Sequence, residues 1–305
     1  MTELADDYGA LRHGLAAYRR PRDVLSVAGP DAAAYLQGQC SQDLAGLAVG
    51  AVVDALLLEP DGKLTALVRV GRVADDGFVV DTDAGFGDLV AARLARFKLR
   101  SKLDLVPLAW PCVALRGPDV PAGLPGPADG LAAPVDWNGV TGMDLLGPGA
   151  DDLVPAAARW VGDDAWEAVR VEAGLPAMGR ELDDRTIAAE AELVDRTVSF
   201  TKGCYTGQEL VARLDARGNK VARRLCGLVM AGAPPGTDPA ALVGATLVVP
   251  GGDKPVGTVT SAAWCPGLGA LGALGYVHRS VEVPGSVQVQ VAGGIAAEAR
   301  PRPLV

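Results

Sequence analysis

The chain has 305 residues, 49% hydrophobic and 21% charged, which marks a folded protein with room for two or three cores and excludes a disordered one. Its net charge of −9 argues against a dedicated nucleic-acid binder, because phosphate contacts need local basicity. The acidic opening MTELADDYGA does not read as a signal peptide, and no apolar stretch approaches the length that spans a bilayer.

In chain order, the first predicted helix lies in VAGPDAAAYLQGQ, opened by Pro30 or Asp31. AVVDALLLEPDGKLTALVRVG reads as a hairpin turning at Pro60-Asp61-Gly62, and GFVVDTD as a third strand after Asp75-Asp76-Gly77. In GDLVAARLARFKLRSK, apolar residues at Leu89, Val90, Leu94 and Phe97 have helical spacing, and its basic residues read as a solvated face. Residues 117–134, rich in Pro, Gly and Ala, read as a loop. DDAWEAVRVEAGLPAMG restarts helix, capped by Asp163 or Asp164 and ended by Gly174-Leu175-Pro176. ARLDARGNKVARRL is the most basic short stretch. From Leu225 onward, short strands broken by Gly and Pro predict a small β-barrel or jelly roll.

The cysteines are Cys40, Cys112, Cys204, Cys226 and Cys265. Their odd number, wide spacing and lack of C-x-x-C suggest neither a zinc site nor a disulfide framework. Reduced thiols in a cytoplasm fit that usage best. The two histidines, His13 and His278, read as surface or core residues rather than catalytic bases.

SFTKGCYTGQELVAR, Ser199 to Arg213, carries the chemistry. Thr197, Val198 and Phe200 favour a strand, and Lys202-Gly203 breaks it. Thr206-Gly207-Gln208-Glu209 matches a capping box, with Thr206 as N-cap of a helix running through Leu214. Cys204 would then precede a helix N-terminus and sit beside Lys202, two influences that favour thiolate. The competing reading is a small buried residue in a strand-to-helix turn.

KGCYTGQE, Lys202 to Glu209, resembles the signature of the YgfZ family, folate-binding relatives of the glycine-cleavage T-protein (aminomethyltransferase) that support iron–sulfur enzymes. VAGPDAAAYLQGQCSQDL, FKLRSK, RVEAGLPAMGREL, VGTVTSAAW and ALGYVH resemble other family segments, so the likeness covers nearly the whole chain. It implies an α+β fold: a T-protein-like, two-lobe folate-binding region over residues 1–222 and a C-terminal antiparallel β-barrel over 223–305. It implies a folate, tetrahydrofolate or a close relative, as cofactor and no stable metal. Iron–sulfur client or assembly proteins are the implied partners, with no direct nucleic acid and no membrane. The working residues would be Cys204 and Lys202, with Tyr205, Gln208 and Glu209 from the motif and Arg170 and Glu172 from the R-x-E pair as folate contacts. A guanidinium can grip a folate carboxylate, and a carboxylate can accept from pterin N–H groups. The alternative for that pair is a salt bridge on the helix surface or between the lobes.

The departures bear on activity. T-proteins carry an acidic pair after the hairpin glycine; here that place reads Gly62-Lys63-Leu64-Thr65-Ala66-Leu67. Their pterin-binding glutamate finds only Gly147-Pro148-Gly149 in GVTGMDLLGPGADD. Neither Thr65 nor Leu67 titrates, which speaks against classical aminomethyl transfer. Three readings stand: an accessory protein for iron–sulfur cluster assembly or repair, including radical enzymes that modify tRNA; a tetrahydrofolate-dependent one-carbon enzyme; and an interaction scaffold with a structural cysteine.

Overall fold

The computed structural model describes residues 2–305. The chain enters through α1 (Thr2–His13) and β1 (Ala16–Arg19). It then builds one sheet from β2 (Arg22–Ala28), β3 (Val52–Leu58), β4 (Leu64–Ala74), β5 (Gly77–Asp83) and β6 (Asp104–Leu108), in the order 3-4-5-2-6 and antiparallel throughout. Two helices, α2 (Ala32–Gln39) and α3 (Gly87–Lys98), pack on it. A second sheet takes β7 (Cys112–Arg116), β8 (Leu131–Trp137), β9 (Val140–Leu146) and the short β10 (Arg159–Trp160), in the order 10-1-7-9-8. β1 thus leaves the first segment of the chain to join strands nearly a hundred residues later, so the two lobes interlock.

The helix predicted in DDAWEAVRVEAG is α4 (Asp163–Ala173). It ends on Gly174 with φ 68°, a left-handed cap that glycine adopts without a Cβ penalty. Its start differs from expectation: Gly162 is the N-cap, and Asp163 instead accepts a hydrogen bond from Tyr18. α5 (Val194–Thr197) and α6 (Gln208–Asp215) follow. β11 (Arg223–Met230), β12 (Thr246–Val248), β13 (Pro255–Cys265), β14 (Ala270–His278), β15 (Gly285–Val289) and β16 (Ile295–Arg300) close into a barrel, ordered 11-14-13-12-15-16. The barrel has its own core, in which Leu228, Leu247, Val259, Ala273 and Val289 are buried.

The acidic opening, for which the sequence predicts no element, is helical as α1, with Leu11 turned into a core it shares with α4. Several local expectations are corrected. β8 begins at Leu131, inside the stretch read as loop, and carries Pro134 because it is an edge strand. The basic face of α3 is not wholly solvated, since Arg93 is buried and donates to the Leu58 carbonyl and to Gln39. No strand precedes the cysteine motif: Thr197 ends α5, with its hydroxyl bonded back to the Leu193 carbonyl, and Phe200 is exposed.

Candidate functional site

A cavity of about 450 Å³ lies between the two sheets and α4. One wall is aromatic: the Tyr18 and Trp166 rings stack with centroids 4.4 Å apart and planes 15° from parallel. Trp166 stands four residues before Arg170, one turn up the same face of α4, and Tyr18 comes from β1. Val52, Leu67, Val135 and Met178 add apolar surface. On another side Arg196 covers the Trp137 ring at 4.6 Å and holds Asp54 at 2.6 Å.

The polar floor is a buried ionic network that ties the lobes together. Asp144 of β9, wholly buried, receives Arg20, Arg69 and Arg116. Asp81 of β5 is shared by Arg22 and Arg69, and Asp83 by Arg20 and Arg22. These four arginines face three aspartates, leaving one positive charge in surplus. For Asp83, burial raises the pKa, but Arg22 and Arg20 outweigh it and leave the group at about 2. Asp144 is likewise held low: Arg116, Arg69 and Arg20 overcome the cost of its burial. The Nε–H of Arg116 is buried without a partner, and Arg116 lines the cavity. A buried donor left unpaired costs roughly 1–3 kcal/mol, so it is a ready anchor for an acceptor on a ligand.

The carboxylates that line the cavity are all engaged. Asp54 is held by Arg196, Asp83 by Arg20 and Arg22, Asp163 by the Tyr18 hydroxyl, and Glu167 by Arg170 and Arg180. On the hairpin, Thr65 is turned to Glu59, which Arg96 also holds.

Arg170 and Glu172, the R-x-E pair, are both engaged by partners within the protein. Arg170 lines the cavity, but every N–H is already used: on both Glu167 oxygens, Glu181, the Leu175 carbonyl and Ser261. It has no fork left for a ligand carboxylate. Glu172 does not line the cavity; it is fully buried and accepts from Tyr8, Arg12 and the Gly267 amide. The pair thus joins helices to the barrel, the salt-bridge alternative.

The cysteine motif forms a second centre. Cys204 is exposed, whereas Cys40, Cys112, Cys226 and Cys265 are buried. Burial pushes the Cys40 thiol up to about 12 and Cys112 and Cys226 to about 11, so these stay protonated at neutral pH. The capping box is not formed. Gly207, with φ 84°, is the N-cap of α6, Gln208 reaches back to the Tyr205 amide at 3.1 Å, and Glu209 is exposed. Lys202 donates to the carbonyls of Gln37, Cys40 and Gln42 at 2.6–2.8 Å. Tyr205 is buried in the core beneath, with the Lys202 ammonium 5.3 Å from its ring centre. None of Lys202, Cys204, Tyr205, Gln208 and Glu209 lines the cavity. The β3–β4 hairpin bridges the two centres: its stem, at Asp54 and Leu67, lines the cavity, and its tip packs against Gly207 and Leu210.

The residues that sequence reasoning missed are Tyr18, Trp166 and the Arg20–Arg22–Arg69–Arg116 set. Their signal was present as YRRPR on the approach to a strand and as Asp144 embedded in an apolar strand, a carboxylate that demands buried cations.

Residues 223–305 match the glycine cleavage T-protein C-terminal barrel domain. The chain is 30% identical over 214 residues to the tRNA-modifying protein YgfZ of Klebsiella pneumoniae, covering 63% of this chain and 65% of that one. It is 28% identical over 224 residues to an iron–sulfur cluster assembly factor IBA57 homolog of Pyricularia oryzae, covering 65% and 53%. The chain thus spans slightly less than two thirds of the first and about half of the second. Curated aminomethyltransferases also stand among its relatives. The fold matches the glycine cleavage system aminomethyltransferase T of Bartonella henselae with a TM-score of 0.83 at 23% identity, over 99% of this chain and 89% of that one. With the KGCYTGQE signature, the YgfZ and IBA57 relatives and the T-protein barrel and fold all on one chain, this protein is similar to the YgfZ and glycine-cleavage T-protein-like proteins and carries the T-protein C-terminal barrel domain.

Proposed function

We propose that this protein is a folate-binding accessory factor for iron–sulfur cluster assembly or repair, serving clients that include tRNA-modifying radical enzymes, with Cys204 as its working thiol. The observation that carries the reading is the contrast among its cysteines: four are buried, and the one in the family signature is exposed. The names of the YgfZ and IBA57 relatives support the iron–sulfur and tRNA connection.

The cavity residues fit a folate. A flat pterin suits the Tyr18–Trp166 wall, the orphan Arg116 Nε–H suits a ring acceptor, and the surplus positive charge suits an anionic tail. A volume of about 450 Å³ falls within the usual range for small-molecule sites. When bound there, a tetrahydrofolate supplies one-carbon chemistry. The Cys204 thiol stands outside the lining of that cavity. Exposed as it is, the thiol is open to whatever a partner brings from solvent. A single thiolate holds no cluster alone, since clusters take about four such ligands.

Aminomethyl transfer is the second reading, favoured by the fold. Against it, each lining carboxylate is already committed to an arginine or a tyrosine hydroxyl, which leaves no free base beside the cavity.

Complementation of a deletion strain tests the thiol. Serine is nearly isosteric but is neither a thiolate nor a soft ligand at neutral pH, so Cys204→Ser is expected to keep its melting temperature and lose support of iron–sulfur enzymes. Full complementation would return the scaffold reading. Calorimetry with reduced folates tests the cavity: Trp166→Ala is expected to weaken binding at least tenfold, and absence of binding to the wild type removes the cofactor.

A further inference from the structure

The loop that carries Cys204 is pinned on both sides of the thiol and free at the thiol itself. Before it, the Ser199 amide donates to the Ser41 carbonyl at 3.0 Å. After it, the Tyr205 ring enters the core, the Thr206 amide donates to the Gly38 carbonyl at 3.2 Å, and Gly207 lies against the Glu59 carbonyl. Gly203 and Cys204 are exposed between these anchors.

Lys202 supplies the tightest anchor. Its ammonium has three N–H donors, and three backbone carbonyls meet them: Gln37 at 2.7 Å, Cys40 at 2.6 Å and Gln42 at 2.8 Å. Those carbonyls lie in the last turn of α2 and just beyond it, where a helix leaves C=O groups unpaired and the macrodipole favours a cation. Tyr205 backs the ammonium with its ring. A group so occupied has no donor left for a neighbouring sulfur.

We propose that Lys202 is a positioning residue: it staples the Cys204 loop to the C-terminal end of α2 and so presents the thiol at the apex of a fixed arch, rather than activating that thiol by charge. Its purpose rests on the reading of Cys204 as a working thiol; its mechanics do not. An arginine cannot replace it, because a planar fork does not present three donors to three converging carbonyls.

The test combines amide hydrogen exchange over residues 199–207 with the pH profile of Cys204 alkylation, in the wild type, Lys202→Met and Lys202→Arg. The staple predicts at least tenfold faster exchange across the loop in both variants, with the midpoint of the alkylation profile equal in all three proteins. It is overturned if Lys202→Met moves that midpoint while exchange stays at the wild-type rate, or if Lys202→Arg restores wild-type exchange. Should Lys202→Met not fold, Lys202→Arg alone decides by the same exchange criterion. Exchange is blind to the thiol, so repeating it in Cys204→Ser separates the two ideas. A Cys204→Ser protein that complements fully, yet loses loop protection on Lys202→Arg, keeps the staple and rejects the working thiol.

Discussion

At the residue scale, Asp144 is the most demanding side chain in the molecule. It is wholly buried, and its charge is tolerable only because Arg20, Arg69 and Arg116 converge on it. Removing the charge leaves the four guanidinium groups with two aspartates between them, and Arg116 with none. Asp144→Asn is therefore expected to cost about 3–5 kcal/mol, read as a lower denaturation midpoint in urea, whereas an exposed aspartate such as Asp75 should tolerate the same change. The network also sets an acid limit. Asp83 titrates at about 2 in the fold against about 3.9 in an unfolded chain, a depressed value, so its contribution is complete above the unfolded value. It fades as the pH falls from about 4 to 2. Melting temperatures followed across that window should drop steeply in the wild type. Asp83→Asn should start lower and drop less.

At the scale of elements, the β3–β4 hairpin and the start of α6 meet through two bare backbones. Gly62 and Gly207 both have φ 84°; a Cβ on Gly207 would lie 2.5 Å from the Glu59 carbonyl, and one on Gly62 would lie 2.4 Å from the Leu210 Cβ. Gly207→Ala meets both the left-handed backbone and the clash, so a loss of about 2–3 kcal/mol is expected, with faster exchange in α6 before any change at the cavity. Hydrogen exchange resolved by segment would show it. This junction explains what the sequence could and could not disclose. Pro60-Asp61-Gly62 announced the hairpin, and Gly174 announced the end of α4, because turn residues act locally. Thr206 and Glu209 announced a capping box that tertiary contact overrode: the backbone must pass close to Glu59, only a glycine can do so, and Gly207 became the cap. The barrel was legible in its first five strands, while IAAEAR was too polar and alanine-rich to read as the sixth. The cavity was the least legible part, since stacking Tyr18 on Trp166 joins residues 148 positions apart.

At the scale of the whole molecule, the barrel is fastened to the lobes by a strap after β16. Arg302 donates to the carbonyls of Leu225, Gly174 and Ala191 and pairs with Glu192, and the Leu304 amide donates to the Glu172 carbonyl at 2.7 Å. Arg302→Ala is expected to leave the barrel intact while loosening its seat, seen as a lower melting temperature and as protease cleavage around residues 215–222. A variant that melts like the wild type would show that the remaining contacts between α4 and β13 suffice. The two open sheets have a different problem, four outer strands with unpaired backbone groups, and each is blunted. β6 carries Pro107, β8 carries Pro134, β10 is two residues long, and β3 is covered where Ser41 pairs with Leu56 and Cys40 bridges Leu57. Among the described residues, the outer strands consequently offer a poor template for another strand. This guards against edge-to-edge aggregation and favours recognition of a visiting protein by side chains over sheet extension.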